Sequence, residues 1–441
     1  MPDALVAGEE VAGRGPGSII EFTPPRGPDL LHGLRALRHR SFRLFYGGQL
    51  ISLTGTWMQS LAQSWLVLVL TDSPLALGLV GAFQFLPVLL LAGIGGAMAD
   101  RLPKRMILLG TQGAEMVLAI ALGVLTASGH IRYPIVLALA LLLGIANSID
   151  MPTRQAFVIE LVEPEDLINA IALNASLFNA ARLVGPAIGG LLIGVIGIAG
   201  CFFVNGASFV PVLGSLLLIQ PRVSTIHTLA SAGQILDDLR KGLRYVRKSA
   251  DTAAVITLVG AVGTFGANFN VVNPILARTV FHVGATGLGW LMAATGLGSL
   301  IASIGLAYLA HAPHPRLIVA AAGLLSLLEL ALVPVRSYPV ALGILILTGG
   351  AMVLVSASAN SYIQMTVPHA LRGRVMSIYT MVFVGTTPIG NTLAGSLAEA
   401  MGAAGPLLLG GVGSLVATLA VGPRLWRHHP QPHSPVRSIR P

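Results

Sequence analysis

The sequence predicts an all-α membrane protein of twelve transmembrane helices, arranged as two related six-helix bundles. Three observations carry that prediction. Of the 441 residues 54% are hydrophobic and only 10% charged, with a mean hydropathy of +0.79, whereas soluble domains carry about 25% charged residues. Apolar stretches near the length of about 20 residues that crosses a bilayer recur along the chain. Finally, the connections between them alternate between rich and poor in Lys and Arg.

The expected spans cover residues 44–70, 75–98, 106–128, 134–150, 169–195, 198–219, 252–277, 285–310, 316–335, 338–362, 374–400 and 403–422. Turn signals separate them at Asp72-Ser73-Pro74, Ser128-Gly129-His130, Ser337-Tyr338-Pro339 and Gly402-Ala403-Ala404. Residues 1–41, rich in Gly, Pro and charge and lacking a signal-type apolar core near Met1, read as a flexible cytoplasmic tail, and 424–441 as a second. Residues 42–220 and 252–423 form the two bundles. Between them, 221–251 sets Leu236, Leu239, Leu243 and Val246 at helical spacing beside Arg240, Lys241, Arg244, Arg247 and Lys248, the pattern of an amphipathic helix on the inner membrane face.

Basic residues orient the chain. Of 27 Lys and Arg, only Arg132, Arg278 and Arg336 fall on one side and Arg182 lies inside a span, which leaves 23 on the other side. Both termini are therefore expected in the cytoplasm. The same distribution, with pI near 10.3, argues against a nucleic-acid partner, because no single soluble patch collects the charge. The lone Cys201 excludes an intrachain disulfide and a cysteine metal site. No His-Glu-x-x-His, Gly-x-Ser-x-Gly or Walker loop is present, so no cofactor, enzymatic centre or direct ATP drive is expected.

The halves echo each other. Leu183-Val184-Gly185-Pro186-Ala187-Ile188-Gly189 in span five parallels Val384-Gly385-Thr386-Thr387-Pro388-Ile389-Gly390 in span eleven. Ser52, Thr56, Gln59 and Gln63 form a polar stripe on span one, and Thr257, Thr264 and Asn268 form one on span seven. Parallel repeats with a site between them characterise one large class of transporters. Gln59, Gln63, Thr264 and Asn268 are thus candidate linings of a central cavity. Trp57, Trp65 and Trp290 read as interface anchors.

Gly96-Ala97-Met98-Ala99-Asp100-Arg101-Leu102-Pro103-Lys104-Arg105 resembles the signature loop between spans two and three of the major facilitator superfamily. Gly96 would let two helices touch, and Asp100 would face a helix N-terminus of the other half. Arg101, Lys104 and Arg105 would hold the inner end at the headgroups. The resemblance implies a gate that locks the cytoplasmic side, and a one-sided lock, since the counterpart His311-Ala312-Pro313-His314-Pro315-Arg316 has no acidic residue. Gly185, Pro186, Gly189 and Gly190 are similar to the core of the family's antiporter motif. Met151-Pro152-Thr153-Arg154-Gln155-Ala156, Leu167-Ile168-Asn169-Ala170, Asn174 and Asn205-Gly206-Ala207-Ser208-Phe209 resemble the enterobactin-exporter-like and macrolide-efflux-like branch, over nearly the whole chain beyond the first tail.

That resemblance implies proton-coupled efflux of a bulky amphipathic molecule, such as a siderophore or antibiotic, by alternating access in a bacterial inner membrane, with a monomer as the working unit. Uptake, or lysolipid transport, by the same fold is the alternative; a membrane enzyme or sensor is disfavoured. A buried unpaired charge costs at least about 2.5 kcal/mol in lipid, so the intramembrane ionisable groups Glu115, Arg182, Glu329 and Glu399, with Asp150 near the end of span four, stand out. Glu115, Glu329 and Asp150 are the candidate proton carriers, and Arg182 could hold an anionic substrate or neutralise a carboxylate.

Overall fold

The computed structural model describes residues 32–219, 232–308 and 315–427. Within them the chain is helical throughout, because a bilayer offers backbone groups no water and helices satisfy them internally. The first half comprises α1 (Arg40–Thr71), α2 (Pro74–Arg101), α3 (Lys104–Ala127), α4 (Tyr133–Glu160), α5 (167–196) and α6 (198–218). A connecting helix, α7 (Ala232–Lys248), leads to α8 (Ala250–Val280), α9 (Gly284–Tyr308), α10 (Pro315–Leu332), α11 (Tyr338–Thr366), α12 (His369–Met401) and α13 (Ala404–Arg427). The outer parts of both expected tails, the first part of the linker and the loop at 309–314 lie outside the described residues.

Among the described residues nine helical stretches are long and apolar enough to cross a membrane. One of them, Pro164–Leu218, is two spans: at Gly197 the backbone takes φ 72°, ψ 177°, and the chain folds back until Cys201 Sγ lies 3.9 Å from the Gly189 carbonyl. Only glycine adopts that conformation without strain. α1 and α12 complete the set of twelve. They fall short on hydropathy because of Ser52, Thr56, Gln59 and Gln63 in α1, and of Thr386, Thr387 and Asn391 in α12.

Two expectations change. The apolar run of span four stops at Asp150, yet α4 continues to Glu160, so Asp150 and Arg154 lie inside the helix rather than at its edge. α8 is not a uniform helix. It contains π-helical turns at Val262–Gly266 and Leu276–Val280 and is interrupted at 267–268. The Asn268 side chain bridges the break, its Nδ2 donating to the carbonyls of Thr264 (2.9 Å) and Phe265 (3.2 Å) that lose their helical partners.

In the first half α1 packs between α5 and α6, and Phe45 sets its ring edge-on against Phe157, centroids 5.3 Å apart, in a core with Phe42, Leu108 and Leu216. α7 lies against α12 at Gly242, with Val246 buried and Leu239 and Leu243 exposed. Asp237 on its outer face pairs with Lys241 at 2.5 Å, and that hydrogen bond holds its carboxyl below the usual range.

Two seams join the halves, α5 against α9 and α2 against α12. Bilayer helices associate by close backbone packing rather than by the hydrophobic effect, and small residues occupy both seams. A Cβ on Gly190 would come within 2.9 Å of Gly289 Cα, and one on Gly78 within 2.4 Å of the Asn391 carbonyl. Gly289→Leu is expected to destabilise the detergent-purified protein by about 1–3 kcal/mol, the usual cost of overpacking. Gly343→Leu, which meets open space, should leave the thermal midpoint unchanged; equal midpoints for both variants would remove the seam from the account.

Candidate functional site

Helical spacing brings Ser52, Thr56, Gln59 and Gln63 to one face of α1, and that face borders a cavity of about 220 Å³. α2 contributes Gln84, α3 Gln112 and Glu115, α4 Asn147 and Arg154, α8 Asn270, and α12 Asn391, so both halves reach it. Thr56 returns its hydroxyl to the Ser52 carbonyl at 3.0 Å. Gln59 is held from behind, its Oε1 accepting from Asn205 Nδ2 at 2.7 Å. Trp57 also lines the cavity rather than anchoring at an interface. The Arg182 guanidinium sits 5.7 Å from its ring centroid, in the range of a cation–π contact.

The charged groups form one cluster on α3 and α4. Asp150 is fully buried. Its Oδ1 accepts from Thr111 Oγ1 at 2.9 Å and Gln112 Nε2 at 2.8 Å, while Arg154 Nη2, one helical turn on, lies 2.7 Å from Oδ2. Arg154 Nη1 reaches Gln49 Oε1 at 3.4 Å. Glu115 stands beside this pair, near enough for the charges of Asp150 and Arg154 to bear on it, yet its Oε1 has no hydrogen-bond partner. Two carboxylates therefore stand against one guanidinium, which pairs with Asp150 alone, and one proton on the cluster would restore neutrality. Sequence reasoning named Glu115 and Asp150 but counted Arg154 as a loop charge. Its spacing of four residues from Asp150 was the available signal.

Other candidates lie elsewhere. Thr264 and Asn268 are absent from the cavity lining: Asn268 repairs the break in α8, and both pack against Gly390 of α12. The π-helical turn shifts the register, and Asn270 faces the cavity instead. Among the described residues no carboxylate pairs with Arg182; its Nη2 is 4.0 Å from Met352 Sδ on α11. Glu329 is buried between α8, α10 and α13, outside the cavity.

In the signature loop, Gly95 rather than Gly96 makes the close approach, a Cβ there meeting the Ser148 carbonyl at 2.1 Å, while Gly96 faces open space. A step of one residue turns a helix by about 100°, which separates the two. Lys104 pairs with Glu160 at 2.6 Å, and Arg105 Nη2 caps the Leu217 carbonyl at 2.7 Å, so both tie the first half together. Asp100 and Arg101 are exposed. In span five, Gly185 packs against Trp57 and Thr54, Gly189 against Met58, and Gly190 against Gly289 across the seam, while α5 runs without interruption through Pro186.

Polar ties close the end of the molecule opposite the basic loops. Asp72 Oδ1 pairs with Arg278 Nη2 at 2.8 Å, and Thr286 Oγ1 donates to the Gly190 carbonyl at 2.9 Å. Glu399 Oε2 accepts from Ser73 Oγ at 2.8 Å and from the Leu75 amide at 3.2 Å, an anion at the N-terminus of α2. Glu399 thus belongs to a clasp between the halves.

Residues 32–428 match the family described as transmembrane secretion effector. Among curated proteins, the chain is 26% identical over 391 residues to the enterobactin exporter EntS of Shigella boydii serotype 18, covering 86% of this chain and 90% of that one. It is 29% identical over 154 residues to the staphyloferrin A transporter of Staphylococcus aureus, a match spanning 35% of this chain and 39% of that protein. Among solved structures, the nucleoside transporter NupG superposes with TM-score 0.69 at 13% identity, over 87% of this chain and 98% of that one. A POT family transporter in complex with 5-aminolevulinic acid gives 0.69 at 12% identity, over 88% and 96%. At such identity these structures speak for the fold alone.

The charged cluster makes a double-mutant prediction. Arg154→Gln strands Asp150 and should destabilise the protein by about 3–5 kcal/mol, whereas adding Asp150→Asn to it should recover most of that loss. Thermal unfolding of the two variants decides it, and equal losses would mean that the pair is not an energetic unit.

Proposed function

The chain belongs to the transmembrane secretion effector family of the major facilitator superfamily, and from that premise we propose that it is a proton-coupled exporter of a bulky amphipathic small molecule, of siderophore or drug-like chemistry. The observation that carries this reading is the cavity itself, where amide side chains adjoin Glu115 and Arg154, the guanidinium that pairs with the fully buried Asp150. Burial of an uncompensated carboxylate is costly, so Glu115 favours either a proton or a substrate that offsets its charge. A site that holds one or the other, and is costly when it holds neither, has the thermodynamic form of an antiporter. The excess negative charge also favours a substrate that brings a cationic or hydrogen-bond-donating group over an anionic one.

The distribution of Lys and Arg supports a cytoplasmic location for both termini and the basic loops. On that reading the clasp of Asp72, Arg278, Ser73 and Glu399 closes the outer side of a bacterial cytoplasmic membrane, and substrate enters from the cytoplasm. The cavity, at about 220 Å³, is smaller than the roughly 300–1,000 Å³ of ordinary ligand sites. A bulky molecule therefore requires the halves to part further. Glycine contacts at the α5–α9 and α2–α12 seams suit rocking, and the loop with Asp100, Arg101, Lys104 and Arg105 would close the cytoplasmic side after the swing. Helices of both halves line the cavity, and that two-bundle enclosure fits a monomer as the working unit.

Siderophore export by the enterobactin exporter supports the substrate class. Uptake, or lysolipid movement, would use the same motion; the run Gly185, Pro186, Gly189 and Gly190 favours antiport. Efflux in inverted vesicles, over a panel of siderophores, macrolides and lysolipids with and without a protonophore, tests substrate, direction and energy source together. Accumulation that ignores the protonophore would overturn the coupling. Glu115→Gln is expected to leave substrate binding measurable but make transport insensitive to the proton gradient. Asp100→Asn should lose most transport while inserting normally, and full activity in that variant would remove the gate.

A further inference from the structure

The second half holds an ionisable centre that the cavity does not use. Glu329 on α10 is only 2% exposed and its Oε2 has no hydrogen-bond partner; Ser414 Oγ on α13 is fully buried and also unpartnered. The two flank Gly266, the last residue of the first π-helical turn of α8. A Cβ at Gly266 would lie 2.9 Å from Ser414 Oγ and 3.2 Å from each carboxylate oxygen of Glu329. From Gly410 on α13, a Cβ would lie 2.4 Å from Glu329 Oε2 and 2.9 Å from the Phe265 carbonyl oxygen. Two glycines thus let these oxygen atoms gather where any side chain would collide with them.

The Phe265 carbonyl has lost its helical partner at the break. Asn268 Nδ2 takes one of its two acceptor sites at 3.2 Å, which leaves the other. Among the described residues no charged neighbour bears on Glu329, so the carboxylate resembles neither the compensated Asp150 nor the clasped Glu399.

We propose that Glu329, Ser414 and the Phe265 carbonyl bind a sodium ion. Every donor is a hard oxygen, the kind of ligand that selects alkali and alkaline-earth cations over transition metals. The single carboxylate matches a monovalent charge, whereas calcium sites gather several carboxylate ligands and magnesium keeps several of its waters. Carbonyls released at a helix interruption coordinate cations in bilayer transporters. A proton would neutralise Glu329 but would leave the Ser414 hydroxyl and the Phe265 carbonyl without a common partner; sodium engages all three. The ion would pin α8 to α10 and α13 at the break, so its occupancy stabilises the bent form of α8. The inference concerns binding in the second half and stands apart from proton exchange at Glu115.

The test is radiolabelled sodium binding to the full chain in nanodiscs, at mildly alkaline pH, with choline holding the ionic strength constant. The expected result is one saturable site per chain, displaced by unlabelled sodium more readily than by potassium and lost in Glu329→Gln. Ser414→Ala should weaken it about tenfold or more, the scale of one lost ligand at roughly 1.4 kcal/mol. Gly266→Ala, whose Cβ would press on Ser414 Oγ and the Glu329 carboxylate, should weaken it at least as much. Should Glu329→Gln fail to fold, the Ser414→Ala variant, which deletes one hydroxyl, carries the comparison. Absence of saturable binding in the unmodified chain overturns the proposal, as does sodium binding that ignores both Ser414→Ala and Gly266→Ala. Thermal stability that responds to pH but not to sodium would assign the site to a proton instead.

Discussion

An ion held away from water must be compensated, and within this bilayer-spanning bundle compensation is scarce. Glu115, Asp150 and Glu329 are all buried, while Arg154 is the guanidinium paired within the cavity and Arg182 rests on an aromatic ring. The rest of the architecture can be read from how each charge is handled. Asp150 is neutralised by Arg154 and two hydrogen-bond donors, which fixes α3 against α4. Glu399 is spent on the N-terminus of α2 and so joins the halves. Glu115 and Glu329 remain with open valences, and those two places are where exchangeable cations make physical sense.

The small residues and the charges act together. Glycine seams let the backbones of α5 and α9, and of α2 and α12, approach closely. Polar ties at Asp72, Arg278, Thr286 and Glu399 then bias which end is closed. Asp72 and Arg278 are partly exposed, so their tie is individually weak, which suits the rocking motion proposed for the halves. At the other end, Lys104 and Arg105 brace the first half while Asp100 stays exposed.

Much of this was legible in the sequence. Hydropathy, turn residues and the bias of basic charge found twelve spans, and the spacing of Ser52, Thr56, Gln59 and Gln63 found the polar face of α1 that borders the cavity. Glu115 stood out because a charge in an apolar run has few explanations. What escaped has physical causes. Polar residues at Asp150 and Arg154 interrupted the hydropathy signal, so α4 read as ten residues too short. The π-helical turn of α8 depends on tertiary contact with α12 and α13, and no local pattern announced that Asn270 would replace Thr264 and Asn268 at the cavity. Gly95 and Gly96 are indistinguishable by composition; only the rotation of α2 decides which meets α4.

The central claim is that protonation at Glu115 controls which arrangement of the halves is favoured. Spin labels at Leu102→Cys and His369→Cys, on a Cys201→Ser background in nanodiscs, would report the distance across the basic end at acidic and at alkaline pH. The distance distribution is expected to shift between the two conditions, and the shift is expected to vanish when Glu115→Gln is added. A pH-dependent shift that persists unchanged in that variant would contradict the account.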